Sequence, residues 1–118
     1  MMHPRTAKEY LQVQDWPTKA SLIVSAGREE YNQDELLQEA GDSLMMKIGE
    51  AANRLRRAGE PEPAGLTWAR VVANRNWIIH QYDQIDRDIT WSTLESLWPE
   101  LDRALRDRFA VAQHALSP

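Results

Sequence analysis

The sequence predicts an all-α fold, an antiparallel bundle of four or five helices, on three observations. Apolar residues recur at spacings of three and four over two long stretches, Leu36 to Leu55 and Ile89 to Ala112, which is the period of one buried helix face. No stretch alternates apolar with polar residues and β-branched residues never dominate a run, so no strand is expected. The segment Gly59-Glu60-Pro61-Glu62-Pro63-Ala64-Gly65 cannot be helical, and it is short, as connections in bundles are.

Taken in order, residues 6 to 16 read as a short helix that carries Leu11 and Val13 and ends at Asp15-Trp16-Pro17, because the residue before a proline is pushed out of helical geometry. A second helix is expected to start at once, with Asp15 as N-cap and Pro17 in its first turn, and to run to about Glu29 on Ala20, Ile23, Val24 and Gly27. Asp34 opens what reads as the longest element, ending near Ala58, with Leu36, Leu37, Ala40, Leu44, Met45, Ile48, Ala51, Ala52 and Leu55 on its core face. Gly41 and Gly49 inside it are tolerable where a neighbouring backbone approaches closely, and Met45 and Met46 read as adaptable core packing. After the 59–65 loop, expected to be exposed, Thr67 reads as the N-cap of a helix that Asp83-Gln84-Ile85-Asp86 ends. A last helical pattern begins at Arg87, with Pro99 expected to kink it or divide it.

A length of 118 residues suits one domain, 1–118, with a single core. With 42% hydrophobic and 27% charged residues the composition is that of a soluble globular chain, and no apolar run approaches the length of a membrane span. The start Met1-Met2-His3-Pro4-Arg5 is followed by no apolar signal-peptide region. The absence of cysteine excludes disulfides, thiolate zinc sites and cysteine nucleophiles, and fits a cytoplasmic chain. His3, His80 and His114 have no metal-ligand spacing, so no metal and no cofactor are expected. A net charge of −4 argues against a general nucleic-acid binder. The basic clusters at Lys47, Arg54, Arg56 and Arg57 and at Arg103, Arg106 and Arg108 read first as solvated helix faces.

Polar residues interrupt the apolar pattern most sharply in Val71-Val72-Ala73-Asn74-Arg75-Asn76-Trp77-Ile78-Ile79-His80-Gln81-Tyr82. At roughly 100° per residue, and with Arg75 at zero, Tyr82 falls near −20°, Asn76 near 100° and His80 near 140°. All four share half the helix, and Arg75 and His80 can address a common point only across a cleft. The structural alternative is a hydrogen-bonded packing histidine and an arginine that reaches solvent.

Arg75-Asn76, three residues, His80, one residue and Tyr82 resemble the signature of the HEPN ribonuclease superfamily, and most nearly its HepT-like toxin branch. The resemblance extends to Ile48-Gly49-Glu50-Ala51-Ala52 with Leu55 upstream, and to Ile85-Asp86, Ile89, Trp91 and Leu97-Trp98-Pro99-Glu100-Leu101 downstream. It covers roughly residues 44 to 105. The first 40 residues depart from the long first helix of that family, because Pro17 interrupts the pattern after Trp16.

What the resemblance implies is metal-independent endoribonuclease cleavage, in which a ribose 2′-OH attacks the adjacent phosphodiester and leaves a cyclic phosphate. Such a reaction needs a base, an acid and positive charge on the pentacoordinate phosphate. His80 can exchange a proton at neutral pH, and Arg75 is permanently charged and can hold two phosphate oxygens. Asn76 can orient the imidazole or touch substrate, or be an ordinary surface residue. Tyr82 can touch a phosphate or base, or cover the helix end; in the resembled branch it is also where a nucleotidyltransferase (MNT) antitoxin attaches AMP. Glu50 can pair with Arg75 across the bundle, with a solvent-facing Glu as the alternative. One histidine in the motif leaves the chemistry short of a second proton-transfer group, and a two-fold homodimer, general in the superfamily, would supply it. Two other classes stay open: a non-catalytic helical module that binds a nucleotidyltransferase or a nucleotide, and a plain helical dimerisation domain.

Overall fold

A computed structural model describes residues 2–63, 65–73 and 85–117. Its elements are α1 (Pro4–Ala26), α2 (Arg28–Gln33), α3 (Glu35–Arg57), α4 (described over 68–73) and α5 (Arg87–Leu116), with no strand among the described residues. The all-α expectation holds.

Contacts along the helices fix their directions. Glu9 pairs with Arg54, and Ala20 lies in one cleft with Leu44, so α1 and α3 are antiparallel. Tyr10 lies under Arg108 and Ala20 beside Leu97, so α1 and α5 are antiparallel as well. Consequently α3 and α5 run the same way, with Asp42 against Arg87 at one end and Leu55 beside Leu105 at the other. The core between them holds Tyr10, Val13, Trp16, Ile48, Leu55, Leu101, Leu105 and Phe109, with Trp68 and Val71 of α4 packed into it.

The break expected at Pro17 is absent. α1 is one helix of 23 residues with Pro17 inside it, so Asp15 caps nothing and the chain does possess a long first helix. An interior proline costs about 3 kcal/mol through the hydrogen bond it removes. Here Val13, Trp16, Pro17 and Ala20 are all buried, and that packing outweighs the local cost. α5 runs for 30 residues through Pro99, so of the two outcomes expected there division into two helices is excluded, and α5 is the longest described element, ahead of the 23 residues of α3. α1 ends at Ala26, a little before the Glu29 expected for the second helix, and its cap Gly27 has a φ of 93° that is open to glycine and strained for other residues.

Capping follows the sequence more closely. Asp34 accepts from the backbone N–H of Leu36 at 2.9 Å and of Leu37 at 3.4 Å, and starts α3 where expected. The Thr67 hydroxyl accepts from the Arg70 N–H at 3.2 Å and starts α4. Gly41 marks a close approach, though of a side chain and not of the backbone expected there, since a Cβ would lie 2.8 Å from Leu94 Cδ1. The core face of α3 is narrower than its pattern suggests: Leu36 is 76% exposed and Ala40 is also exposed, because the stripe that meets α1 and α5 runs through Gly41, Leu44, Met45 and Ile48. Nor is the loop after α3 wholly exposed, with Pro63 and Leu66 both buried.

Candidate functional site

Arg75, Asn76, His80 and Tyr82 all lie outside the described residues. What is described is the frame on either side of them, together with Glu50. That residue is exposed on α3, roughly half a turn from the stripe of Ile48 and Ala52 that enters the core.

The approach to the motif is anchored in the core. Trp68 is 2% exposed, and its indole N–H donates to the Glu60 carbonyl at 3.2 Å. Val71 sits in a tight apolar cluster with Ile48, Ala52 and Leu101, while Arg70 on the outer side pairs with Glu100 of α5 at 3.1 Å. Glu60 binds more than Trp68. Its carboxylate accepts from the Tyr10 hydroxyl at 2.9 Å and from the Arg108 guanidinium at 2.6 Å, and that guanidinium lies 5.6 Å from the centre of the Tyr10 ring. A loop residue thus ties α1 and α5 to the start of α4. Burial, followed by the neighbouring Glu60 charge and against the opposing pull of Arg108, pushes the Tyr10 hydroxyl up to about 12. At neutral pH it is a proton donor held in place, not a base.

The exit is anchored as firmly. Ile85 packs partly against the core, and Asp86 caps α5 by accepting from Asp88 N–H at 2.9 Å and Ile89 N–H at 3.4 Å. Arg87 then makes a two-pronged bond to Asp42 of α3, at 2.8 and 3.1 Å, and reaches the Tyr31 hydroxyl at 3.4 Å. Tyr31 and Thr90 share a buried hydroxyl–hydroxyl bond of 2.6 Å, and the Tyr31 ring tilts against Trp91 with centroids 5.3 Å apart. Burial works to lower the Arg87 pKa, but the hydrogen bonds to Asp42 and Tyr31 outweigh it and hold the group above its ordinary value. Between Asp42, which fixes the exit, and Ile48 and Ala52, which fix the approach, lie about 9 to 15 Å of α3.

Sequence reasoning missed Glu60, Arg108, Asp42 and Arg87 as the residues that hold this frame. Each is an ordinary charged residue in its local context, and their partners lie 45 to 50 positions away. The basic clusters are partly neutralised: Arg54 pairs with Glu9 and Arg106 with Asp102, as solvated helix faces do. Among the described residues there is no cluster of histidines and carboxylates suited to a metal, and no helix is long and apolar enough to cross a membrane.

Comparison with known proteins completes the picture. A protein described as "Putative RNase TTE0752", from Caldanaerobacter subterraneus subsp. tengcongensis, is 23% identical over 105 residues, which cover 87% of this chain and 94% of that protein. No solved structure matches. The family described as "Ribonuclease HepT-like" matches residues 18–107, well over half the chain and including the whole of the Arg75-to-Tyr82 motif. This chain belongs to the HepT-like ribonuclease family.

Proposed function

We propose that this protein is a metal-independent endoribonuclease, the toxin of a HEPN/MNT toxin–antitoxin pair, acting as one cytoplasmic domain that forms a two-fold dimer. The observation that carries the reading is the family match over 18–107, within which Arg75, Asn76, His80 and Tyr82 stand in the order and spacing of the superfamily signature. The frame around the motif supports it. Trp68 and Val71 on one side, and Asp42 with Arg87 on the other, tie both flanks to the same helix, which suits a site whose groups must be held to within a fraction of an ångström.

In the proposed reaction a His80 imidazole takes the 2′-OH proton as the 2′-oxygen attacks phosphorus. The P–O5′ bond breaks, a protonated group returns a proton to the leaving 5′-oxygen, and a 2′,3′-cyclic phosphate remains. With one motif histidine per chain, the second proton-transfer group is the partner subunit's copy of the same imidazole. Arg75 neutralises the charge that grows on the non-bridging oxygens. Asn76, an i, i+4 neighbour of His80, orients the ring, and Glu50 is a candidate partner for Arg75. Tyr82 is the acceptor for AMP from the nucleotidyltransferase antitoxin, a modification that would place bulk and negative charge where substrate phosphate sits.

The deciding experiment is cleavage of single-stranded RNA by the purified chain in excess EDTA. Cyclic-phosphate ends are expected, lost in both Arg75→Ala and His80→Ala. Cleavage that needs magnesium refutes the mechanism, and intact cleavage by His80→Ala refutes the assignment of that residue. A chain that never cuts RNA but binds a nucleotidyltransferase is the non-catalytic module instead.

A further inference from the structure

On the outer side of the bundle, α1 and α3 leave an open groove of about 370 Å³ lined by Lys19, Leu22, Ile23, Ala40, Leu44 and Lys47. It lies roughly 100° round α3 from the residues that meet α4, so it is a different face from the frame of the motif. Leu22 is 67% exposed, and Leu36, one turn before Ala40 on the same stripe, is 76% exposed. A single exposed leucine is unremarkable, but two on neighbouring helices beside an apolar cleft form a surface that water wets poorly.

Charge narrows the choice of occupant. Lys19 and Lys47 flank the apolar floor, one on each helix, and neither enters an ion pair among the described residues. The sequence holds three lysines in all, and two of them stand here on a chain whose net charge is −4. An isologous contact of this face with itself would bring these ammonium groups together at the centre of a desolvated patch. A helix with an apolar stripe flanked by carboxylates satisfies both features of the groove.

We propose that the α1/α3 groove docks an amphipathic helix of a partner protein, its apolar stripe seated on Leu22, Ile23 and Leu44 and its acidic flanks meeting Lys19 and Lys47. The interaction is independent of the nuclease reading, since no residue of the motif takes part.

The test is a titration of the full-length, isotope-labelled chain with a designed helical peptide bearing leucines at i, i+4 and i+7 and glutamates beside them. Amide shifts confined to 19–23 and 36–47 are expected, with affinity weakened at least about tenfold by Leu22→Asp and by the Lys19→Glu, Lys47→Glu pair. The same peptide with lysines for glutamates should bind that charge-reversed pair better than the natural chain. Equal binding of both peptides by the natural chain, no binding, or shifts elsewhere overturn the proposal. It is also overturned if Leu22→Asp alone turns a dimer into a monomer by light scattering, which would give the face to a second copy. Leu22-dependent binding to phosphatidylglycerol vesicles without peptide binding would give it to a lipid surface.

Discussion

Tyr10 and Glu60 are fifty positions apart, yet the hydrogen bond between them helps to hold the start of α4, just before the motif. Tyr10 is fully buried and its hydroxyl is pushed from 10.0 up to about 12, chiefly by burial, so the folded chain keeps a proton that the unfolded chain gives up from about pH 10. That preference stabilises the fold fully below pH 10 and is lost as pH rises through 12; a shift of this size corresponds to about 2 to 3 kcal/mol. Tyr10→Phe should be less stable at pH 8, having lost its bond to Glu60. The gap to the natural chain should narrow as pH climbs from 9 to 11.5 in urea unfolding, and a constant gap would contradict the assignment. At the other flank, Asp42→Ala leaves the Arg87 guanidinium without its carboxylate. A loss of about 1.5 to 3 kcal/mol is expected, and a change below about 0.5 kcal/mol would mean that the pair is a surface ornament. None of these pairings was legible in the sequence, because periodicity reports which face a residue occupies and not which distant residue it meets. The Arg75 to Tyr82 spacing was legible, since a local motif needs no tertiary information.

Helices were legible wherever local chemistry and packing agree. Thr67 is a cap in the structure as it is in the sequence, and Asp34, read as the start of its helix, caps it, because a side-chain oxygen two or three residues before free N–H groups is a purely local arrangement. Pro17 reads as a break and is not, and Pro99 does not divide its helix, because the cost of an interior proline is local while the burial that outweighs it is not. Gly41 is the same lesson in reverse. In an isolated helix Gly41→Ala would stabilise by up to about 1 kcal/mol, but the added Cβ meets Leu94 Cδ1 at 2.8 Å, and Leu94 is only 3% exposed. Gly41→Ala should therefore destabilise the natural chain by about 1 kcal/mol, since the leucine must leave its rotamer in a packed core. In a Leu94→Ala background, itself costing about 2 to 5 kcal/mol, the same change should become neutral or stabilising. A double-mutant cycle with no coupling would mean that the close approach is not what excludes a side chain at position 41.

For the whole molecule, the question raised by the proposed function is how a chain of net charge −4 would engage RNA. Arg28, Arg54, Arg70, Arg87, Arg106 and Arg108 each pair with a carboxylate, so most described guanidinium groups have their charge matched at home. Under the proposed function such a site would draw little from a basic track and much from a few focused charges, and a two-fold dimer would double those at no cost to the rest of the surface. Two consequences separate the dimeric site from a self-sufficient monomer. RNA affinity should fall with salt along a shallow slope, about −1.4 on logarithmic axes if two arginines each displace one counterion from a single strand. Cleavage per chain should also fall on dilution, in step with the dimer fraction measured by light scattering over the same concentrations. A monomer that cuts with undiminished activity per chain would remove the need for the partner's imidazole, and the second proton-transfer group would then have to be sought within the chain itself.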